Sequence, residues 1–386
     1  MLKNFSFLSV QEIHFGFGAI EMIGESCKKL GLKDVLVVSD KFMVSSGMVD
    51  RLGTLLKADG INYQVFSDFD ASPSIAQVEH AAEVMKQMNC QGVIGFGGGS
   101  SLDTAKAISI LVNNPLPISQ YFGINQIPNK GCPMIMIPTT AGTGSEVSDA
   151  CIIRDDQTQI KSGLRSKYLI SDISIVDPDL TVSMPPSLTA ATGMDALTHC
   201  IEGYVSNGAS IMTRLYHREA IRLIFKYLRN AVANGNDREA RYYVMLGAMY
   251  AGWAMSVASL GACHAMAYPI EGKYHVSHGD ANASLLPAVM KYNALGNMEL
   301  FKEMAIAMGE NVEGLNLREA AFKAVTAVQL LKKDIGIRTI KEFGVVEEDL
   351  QDFAEVVIKN TRLLQYNPRQ VTVEKIKDIY LDAMNN

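Results

Sequence analysis

Up to about residue 185 the chain alternates short apolar, β-branched runs with stretches of helical period; beyond that point the strand signals stop. Val35-Leu36-Val37-Val38 leads into helix-like sequence through Leu56, and Tyr63-Gln64-Val65-Phe66 leads into a helical stretch around residues 78–88. Gly92-Val93-Ile94-Gly95-Phe96 runs into a glycine-rich turn, and Met134-Ile135-Met136-Ile137 ends at Pro138-Thr139-Thr140. Strand, helix and strand at this spacing predict a parallel sheet with crossover helices. Met184-Pro185-Pro186-Ser187 is a natural break and a good helix N-terminus. Helical periods then cover 189–205, 213–233, 238–260 and 283–293, with further amphipathic stretches to 384. The expectation is an α/β domain over 1–184 and an all-helical domain over 185–386, with any ligand site in the cleft between them. The length of 386 residues suits two domains with a large buried core.

A formal net charge of −6 weighs against a chain built to grip phosphate backbones, so no nucleic-acid partner is expected. Anionic small substrates stay open, because one or two local cations serve them. Six cysteines (Cys27, Cys90, Cys132, Cys151, Cys200, Cys263) are scattered without a CxxC pair and read as free thiols of a reducing compartment. The start, MLKNFSFLSVQEIHFG, carries Glu12 and no long apolar region, so the expected setting is cytoplasmic. From Tyr242 to Ile270 there is no Asp, Glu, Lys or Arg, a length able to span a bilayer. His264, Pro269, small residues and the lack of a flanking basic cluster favour a helix buried in the helical domain over a membrane span.

Gly97-Gly98-Gly99-Ser100-Ser101-Leu102-Asp103 follows a predicted strand and opens a predicted helix. Bare glycines let a phosphate approach the backbone, and the helix N-terminus supplies N–H groups and positive dipole. The run is neither the G-x-G-x-x-G fingerprint nor a Walker loop, so a plain glycine turn is the competing reading. Asp40 closes the first clear strand, where a carboxylate accepts from ribose hydroxyls and repels an extra 2′-phosphate; that favours NAD over NADP, against a simple helix cap. Thr139, Thr140 and Thr143, in Pro138-Thr139-Thr140-Ala141-Gly142-Thr143-Gly144, also follow a strand and suit a pyrophosphate or a nicotinamide amide, or else form a structural loop.

Five of the seven histidines lie between residues 199 and 278. Asp195 and His199 stand four apart, on one helix face. His264 sits in Gly261-Ala262-Cys263-His264-Ala265-Met266, hard to justify in so apolar a run without a partner, and His278 follows. One carboxylate and three imidazoles make a mixed site suited to Fe(II) or Zn(II), with a position open to substrate oxygen. An isolated Asp–His pair reads equally as a surface contact, and a lone buried histidine as a hydrogen-bonded core residue.

At these residues the chain resembles the iron-containing alcohol dehydrogenases, relatives of 1,3-propanediol dehydrogenase and lactaldehyde reductase. The resemblance runs through GGGSSLDTAKA at 97–107, PTTAGTGSEV at 138–147, MPPSLTAATGMDALTHCIEGYVS at 184–206, GACHAMAYP at 261–269, HGDANASLLPAVMKYN at 278–293 and Asn367-Pro368-Arg369. It implies a Rossmann-like dinucleotide domain followed by a helical domain, the plan also found in dehydroquinate-synthase-like proteins, with homo-oligomers of two or more chains. It implies that Asp195, His199, His264 and His278 hold the metal. Gly97, Gly98, Gly99, Ser100, Ser101, Asp103, Thr139, Thr140 and Thr143 would hold NAD, and Lys161 lies roughly where a cofactor-contacting lysine is common. The family usually has a second histidine four residues after the third ligand, and here that position is Tyr268. A phenol near pKa 10 is a poorer proton shuttle than imidazole, and His275, three residues before His278, is the candidate to complete a relay with it. Tyr268 with Lys273-Tyr274-His275 is similar to branches acting on aldehydes with an acidic tail, such as 4-hydroxybutyrate dehydrogenases; Lys273 reads equally as a solvated surface lysine.

The expected activity is metal-dependent hydride transfer between NAD(H) and a small primary alcohol or aldehyde, running as an aldehyde reductase. The alternatives are a reductase of an aldehyde with an anionic tail, a dehydroquinate-synthase-like metal/NAD lyase, and a regulatory protein that binds metal and nucleotide without turnover. Net loss of NADH separates the reductase readings from the other two.

Overall fold

The computed structural model describes residues 4–156 and 161–385. Among the described residues nine strands are present: β1 Glu12–Phe15, β2 Asp34–Val38, β3 Asn62–Phe66, β4 Gly92–Gly97, β5 Gly123–Ile124, β6 Met134–Pro138, β7 Ala150–Arg154, β8 Lys161–Arg165 and β9 Ile173–Val176. Five helices lie among them: α1 Ile23–Lys29, α2 Lys41–Ser45, α3 Met48–Ala58, α4 Ile75–Gln87 and α5 Gly99–Leu111. Ten follow: α6 Pro186–Val205, α7 Ile211–Ala233, α8 Arg238–Ala258, α9 Ala262–Tyr274, α10 His278–Ala294, α11 Met298–Ala307, α12 Leu317–Asp334, α13 Leu350–Val357, α14 Thr361–Leu364 and α15 Val373–Asn385. The chain divides into two compact units. One comprises Leu8–Thr140 and Gly144–Thr181; the other comprises the segment ending at Phe7, Ala141–Thr143, and everything from Val182 onward.

The α/β unit is built on a six-stranded, wholly parallel sheet in the order β1-β9-β6-β4-β2-β3. Its central strands are buried on both faces. Val35, Val37, Ile94, Phe96, Ile135 and Ile137 face one core; Leu36, Val38, Val93, Met134 and Met136 face the other. Helices covering both faces explain why these strands read as unbroken apolar runs rather than alternating ones. One strand of this sheet carries no clear sequence signal. The edge strand β1 has only four half-buried residues and pairs with β9, some 160 positions later. A small second sheet, β5-β8-β7, completes the unit.

The winding of the sheet places one site in advance. From β2 the chain steps outward to β3, then returns to β4 on the other side of β2 and continues to β6 and β9. The strand order therefore reverses between β2 and β4, and the crevice beyond the carboxyl ends of those two strands is where an open α/β sheet binds ligands. Asp40 follows β2, and Gly97 ends β4.

In the helical unit α6 opens on Pro185-Pro186, where a missing N–H is harmless, and almost every residue from Thr189 to Val205 is buried. It packs against α7, α8 and α10. The uncharged stretch from Tyr242 to Ile270 is two helices, where the sequence predicts one: α8 and α9 meet at 105°. Ser259 takes φ 61° at the break, and Gly261 packs so closely on Asn367 and Glu202 that an added Cβ would lie 2.9 Å and 3.2 Å from their oxygens. Asn367 holds the bend by accepting from Ala262 N–H (3.2 Å) while pairing reciprocally with buried Asn293 of α10. Among the described residues no single helix is long and apolar enough to cross a membrane; only this bent pair passes on length and composition. The helix expected over 283–293 starts five residues earlier, at His278, because Ser277 accepts from Asp280 N–H (3.2 Å) and caps it.

Candidate metal centre

Three helices of the helical unit supply the site. Helix α6 carries Asp195, His199 and Glu202 at i, i+4 and i+7, one stripe on an otherwise apolar helix. Helix α9, redirected by the 105° bend, carries His264, Tyr268 and Glu271 at the same spacing. The first turn of α10 carries His278, with Asn282 one turn on. Gly279 brings that turn within 2.5 Å of the Ala191 carbonyl of α6, measured to where a Cβ would stand, so only glycine permits the approach.

Asp195 Oδ1 lies 4.0 Å from His199 Nε2, 3.8 Å from His264 Nε2 and 3.8 Å from His278 Nε2. Two atoms each about 2.1 Å from one ion stand at most about 4.2 Å apart, so these spacings fit a shared ion and not hydrogen bonds. Asp195, His199 and His264 form a buried cluster with ligand atoms within 4.8 Å of one another. His278 stands at its more open edge, with a third of its side chain exposed. Burial drives the Asp195 carboxyl toward protonation, but the three imidazoles outweigh it and hold the group below the ordinary carboxylate range. Burial also pushes His199 down to about 4, against the pull of Asp195, so the ring is neutral and able to donate a lone pair at pH 7.

On the far sides of two of the imidazoles stand carboxyl groups. His264 Nδ1 meets Glu202 Oε2 at 2.6 Å, and His278 Nδ1 meets Glu271 Oε1 at 2.6 Å, both carboxyl groups buried. A carboxylate on Nδ1 fixes the proton there and turns the Nε2 lone pair toward the ion. His264 Nε2 is buried with no hydrogen-bond partner among the described residues, an orphan that an ion at this point would satisfy. Asn282 Nδ2 donates to Asp195 Oδ1 (2.9 Å) and approaches His278 Nε2 (3.2 Å). Glu202 and Glu271 went unread in the sequence, although each lies seven residues beyond a ligand, on the same helix face.

In the α/β unit, Gly97 adopts φ 150°, and a Cβ there would overlap the Ser101 side chain and lie 3.3 Å from Asp40 Oδ2. Gly98 caps α5 without a side chain, leaving the first-turn N–H groups at the strand end. Among the described residues, Ser101 Oγ is buried and unpartnered beside them. Thr139 N–H donates to Gly97 O (2.9 Å), and Thr140 lies against Gly98. A bare backbone cradle, an unsatisfied hydroxyl and a carboxylate at the switch point suit a dinucleotide. Asp40 also caps α2, accepting from Met43 N–H (3.0 Å) through Oδ1, which leaves Oδ2 toward Gly97. Other expected contacts are engaged elsewhere. Ser100 Oγ donates to Ala71 O, and Asp103 accepts from Ser145 Oγ (2.7 Å) and Ile152 N–H (2.9 Å), tying α5 to the next loop and β7. Lys161 opens β8, exposed on the small sheet, and Thr143 groups with the helical unit.

Residues 11–178 match the iron-containing alcohol dehydrogenase family, and residues 189–384 match the C-terminal region of the Fe-containing alcohol dehydrogenase family. The chain belongs to the iron-containing alcohol dehydrogenase family. It is 38% identical to 1,3-propanediol dehydrogenase of Klebsiella pneumoniae, with 99% of each chain covered. It is 37% identical to NAD-dependent methanol dehydrogenase of Bacillus methanolicus, over 96% of this chain and 97% of that one. A crystal structure of 1,3-propanediol oxidoreductase matches with a TM-score of 0.97 at 38% identity, covering 99% of this chain and 100% of that one. The protein is thus a metal-dependent oxidoreductase using NAD(H) and iron on alcohols or aldehydes.

Four residues beyond His264 on α9 stands Tyr268. The phenol ring stacks on His278, with centroids 6.1 Å apart, and burial pushes its pKa up to about 12 despite the opposing field of Arg362. His275 is exposed at the αL cap of α9, its N–H donating to Glu271 O (3.1 Å). Lys273 Nζ pairs with Asp349 Oδ1 at 2.7 Å and is largely exposed.

Proposed function

We propose that this alcohol dehydrogenase works as a reductase of small uncharged aldehydes, with Asp195, His199, His264 and His278 holding the ion and the Gly97–Asp40 cradle holding NADH. The observation that carries the reading is the single carboxylate oxygen facing three Nε2 atoms at 3.8–4.0 Å. When bound, the ion supplies Lewis-acid polarisation of the substrate oxygen, and the cofactor supplies the hydride. The chain's own part is positional. Glu202 and Glu271 hold the Nδ1 protons of His264 and His278. Ser101 and the first-turn N–H groups of α5 take the pyrophosphate, and Asp40 takes the ribose. Thr139 and Thr140 stand beside this cradle, and Ser100 and Asp103 brace it through their bonds to Ala71, Ser145 and Ile152. Tyr268 keeps its proton at neutral pH and donates it from Oη toward the product oxygen, with exposed His275 passing the replacement proton from solvent. The same reading puts the enzyme in the cytoplasm, supported by six free cysteines that suit a reducing compartment, and takes it as a homo-oligomer.

The deciding measurement is the initial rate of NADH oxidation by Fe(II)-loaded protein under anaerobic conditions, with propionaldehyde. Turnover that a chelator abolishes supports the reductase. Bound ion and cofactor with no NADH loss would instead favour the lyase or non-catalytic readings.

A further inference from the structure

Two of the three ligand imidazoles have a buried carboxylate on Nδ1; the third does not. His199 Nδ1 is buried and has no hydrogen-bond partner among the described residues. To present its Nε2 lone pair to the ion, His199 must carry its proton on Nδ1, and that N–H needs an acceptor. Four residues on, along the same face of α6, is Gly203. The ring of His217, from α7, sits on that bare Cα so closely that any side chain at 203 would overlap its Nε2. His217 is wholly buried in the interface between α6 and α7, and both of its ring nitrogens also lack partners. A leucine would pack there without leaving polar atoms unsatisfied, so an imidazole at this point calls for a reason.

We propose that His217 is the positioning residue for His199: it accepts the His199 Nδ1 proton through one buried water and so fixes that ligand's tautomer. The proposal rests on the metal reading above. Burial holds His217 down at about 3, so its acceptor lone pair is available throughout the neutral range. A neutral acceptor also makes electrostatic sense. The ion already faces Asp195 and two carboxylate-backed imidazoles, and a third backing carboxylate would weaken its pull on a substrate oxygen further.

The test compares wild type with His217→Leu and His217→Gln. Co(II) affinity is read by competition with a chromophoric chelator, the ligand field by the visible d–d bands, and the ion-free fold by thermal unfolding. The Leu variant is expected to bind Co(II) about 10–100-fold more weakly with altered bands, while its ion-free melting point equals or exceeds that of wild type. The Gln variant, which keeps an acceptor, is expected to recover most of the affinity. Wild-type affinity and bands in the Leu variant, with a raised melting point, would show His217 to be only an ill-satisfied core residue and overturn the proposal. Should Leu fail to fold, His217→Met, apolar and adaptable in shape, is read in the same way. Wild-type protein that takes up no ion overturns the metal reading itself, and this proposal with it.

Discussion

Replacing Glu202 by glutamine tests whether the metal centre depends on the carboxylate behind its ligand. Glu202 is almost wholly buried and accepts twice: from Cys263 N–H at 2.6 Å through Oε1, and from the His264 Nδ1 proton at 2.6 Å through Oε2. An amide of the same shape can accept only once. If its NH2 faces Cys263, two donors meet in a buried setting, at about 1–3 kcal/mol for the unsatisfied backbone group. If its NH2 faces His264, the imidazole escapes the clash by moving its proton from Nδ1 to Nε2, which removes the lone pair aimed at the shared ion. The second arrangement needs only a proton shift, so it should win. Glu202→Gln is therefore expected to lose at least 10–100-fold in metal affinity, about 1.4–2.7 kcal/mol, with only a modest fall in ion-free stability. Chelator competition with Co(II) reads the first quantity and thermal unfolding the second. A Gln variant that binds Co(II) as tightly as wild type would refute the tautomer argument.

In the α/β unit, Gly97→Ala forces a Cβ into the Ser101 side chain at φ 150°. It should weaken NADH binding at least tenfold, read by nucleotide fluorescence, without changing Co(II) affinity; unchanged NADH affinity would remove the cradle from the reading. Tyr268→Phe should lower kcat by about 10²-fold with KM for NADH unaltered, the scale of a lost general acid, whereas Tyr268→His should recover turnover below pH 8; equal kcat in all three proteins would exclude Tyr268 from proton transfer. His217 titrates near 6.5 when unfolded and at about 3 when folded, so its contribution is complete above pH 6.5 and is lost progressively as pH falls toward 3. At about 1.36 kcal/mol per unit this is at most roughly 4–5 kcal/mol, and ion-free His217→Leu should show a correspondingly flatter stability profile by urea unfolding between pH 6.5 and 4.

What could be read from the sequence was what burial imposes locally. Val35–Val38, Ile94 and Ile135 declare their strands because helices cover both faces of the sheet. Four polar groups in apolar helices declare themselves because a buried histidine needs a partner. Long-range placement was not legible. Nothing near Ser259 announces a 105° turn, since the group that holds it, Asn367, is more than a hundred residues away. Strand β1 has no pattern of its own and exists through its pairing with β9. The carboxylates behind the ligands fall between these cases. Glu202 and Glu271 keep the helical spacing of the ligands they serve, yet read singly as ordinary acidic residues. Lys273 illustrates the opposite case, in which a cation near the site in sequence pairs with Asp349, a residue 76 positions further on.

That last contact also bears on the substrate. An aldehyde with an anionic tail needs a cation facing the site, and Lys273 does not supply it, because its charge is taken by Asp349. Three buried carboxyl groups (Asp195, Glu202 and Glu271) surround the ligand imidazoles, and their field opposes a second negative charge beside the substrate oxygen. Another nearby cation is Arg362 of α14, a helix that packs against α9, and its field reaches the Tyr268 phenol. Counting the divalent ion that the site is proposed to hold, one guanidinium and three carboxylates leave no surplus of positive charge to favour an anionic tail. At equal concentration, propionaldehyde should therefore be reduced faster than succinate semialdehyde, and Arg362→Ala should leave the propionaldehyde rate within about twofold of wild type. A faster rate with succinate semialdehyde that disappears in Arg362→Ala would reverse the conclusion and make Arg362 the tail-binding group.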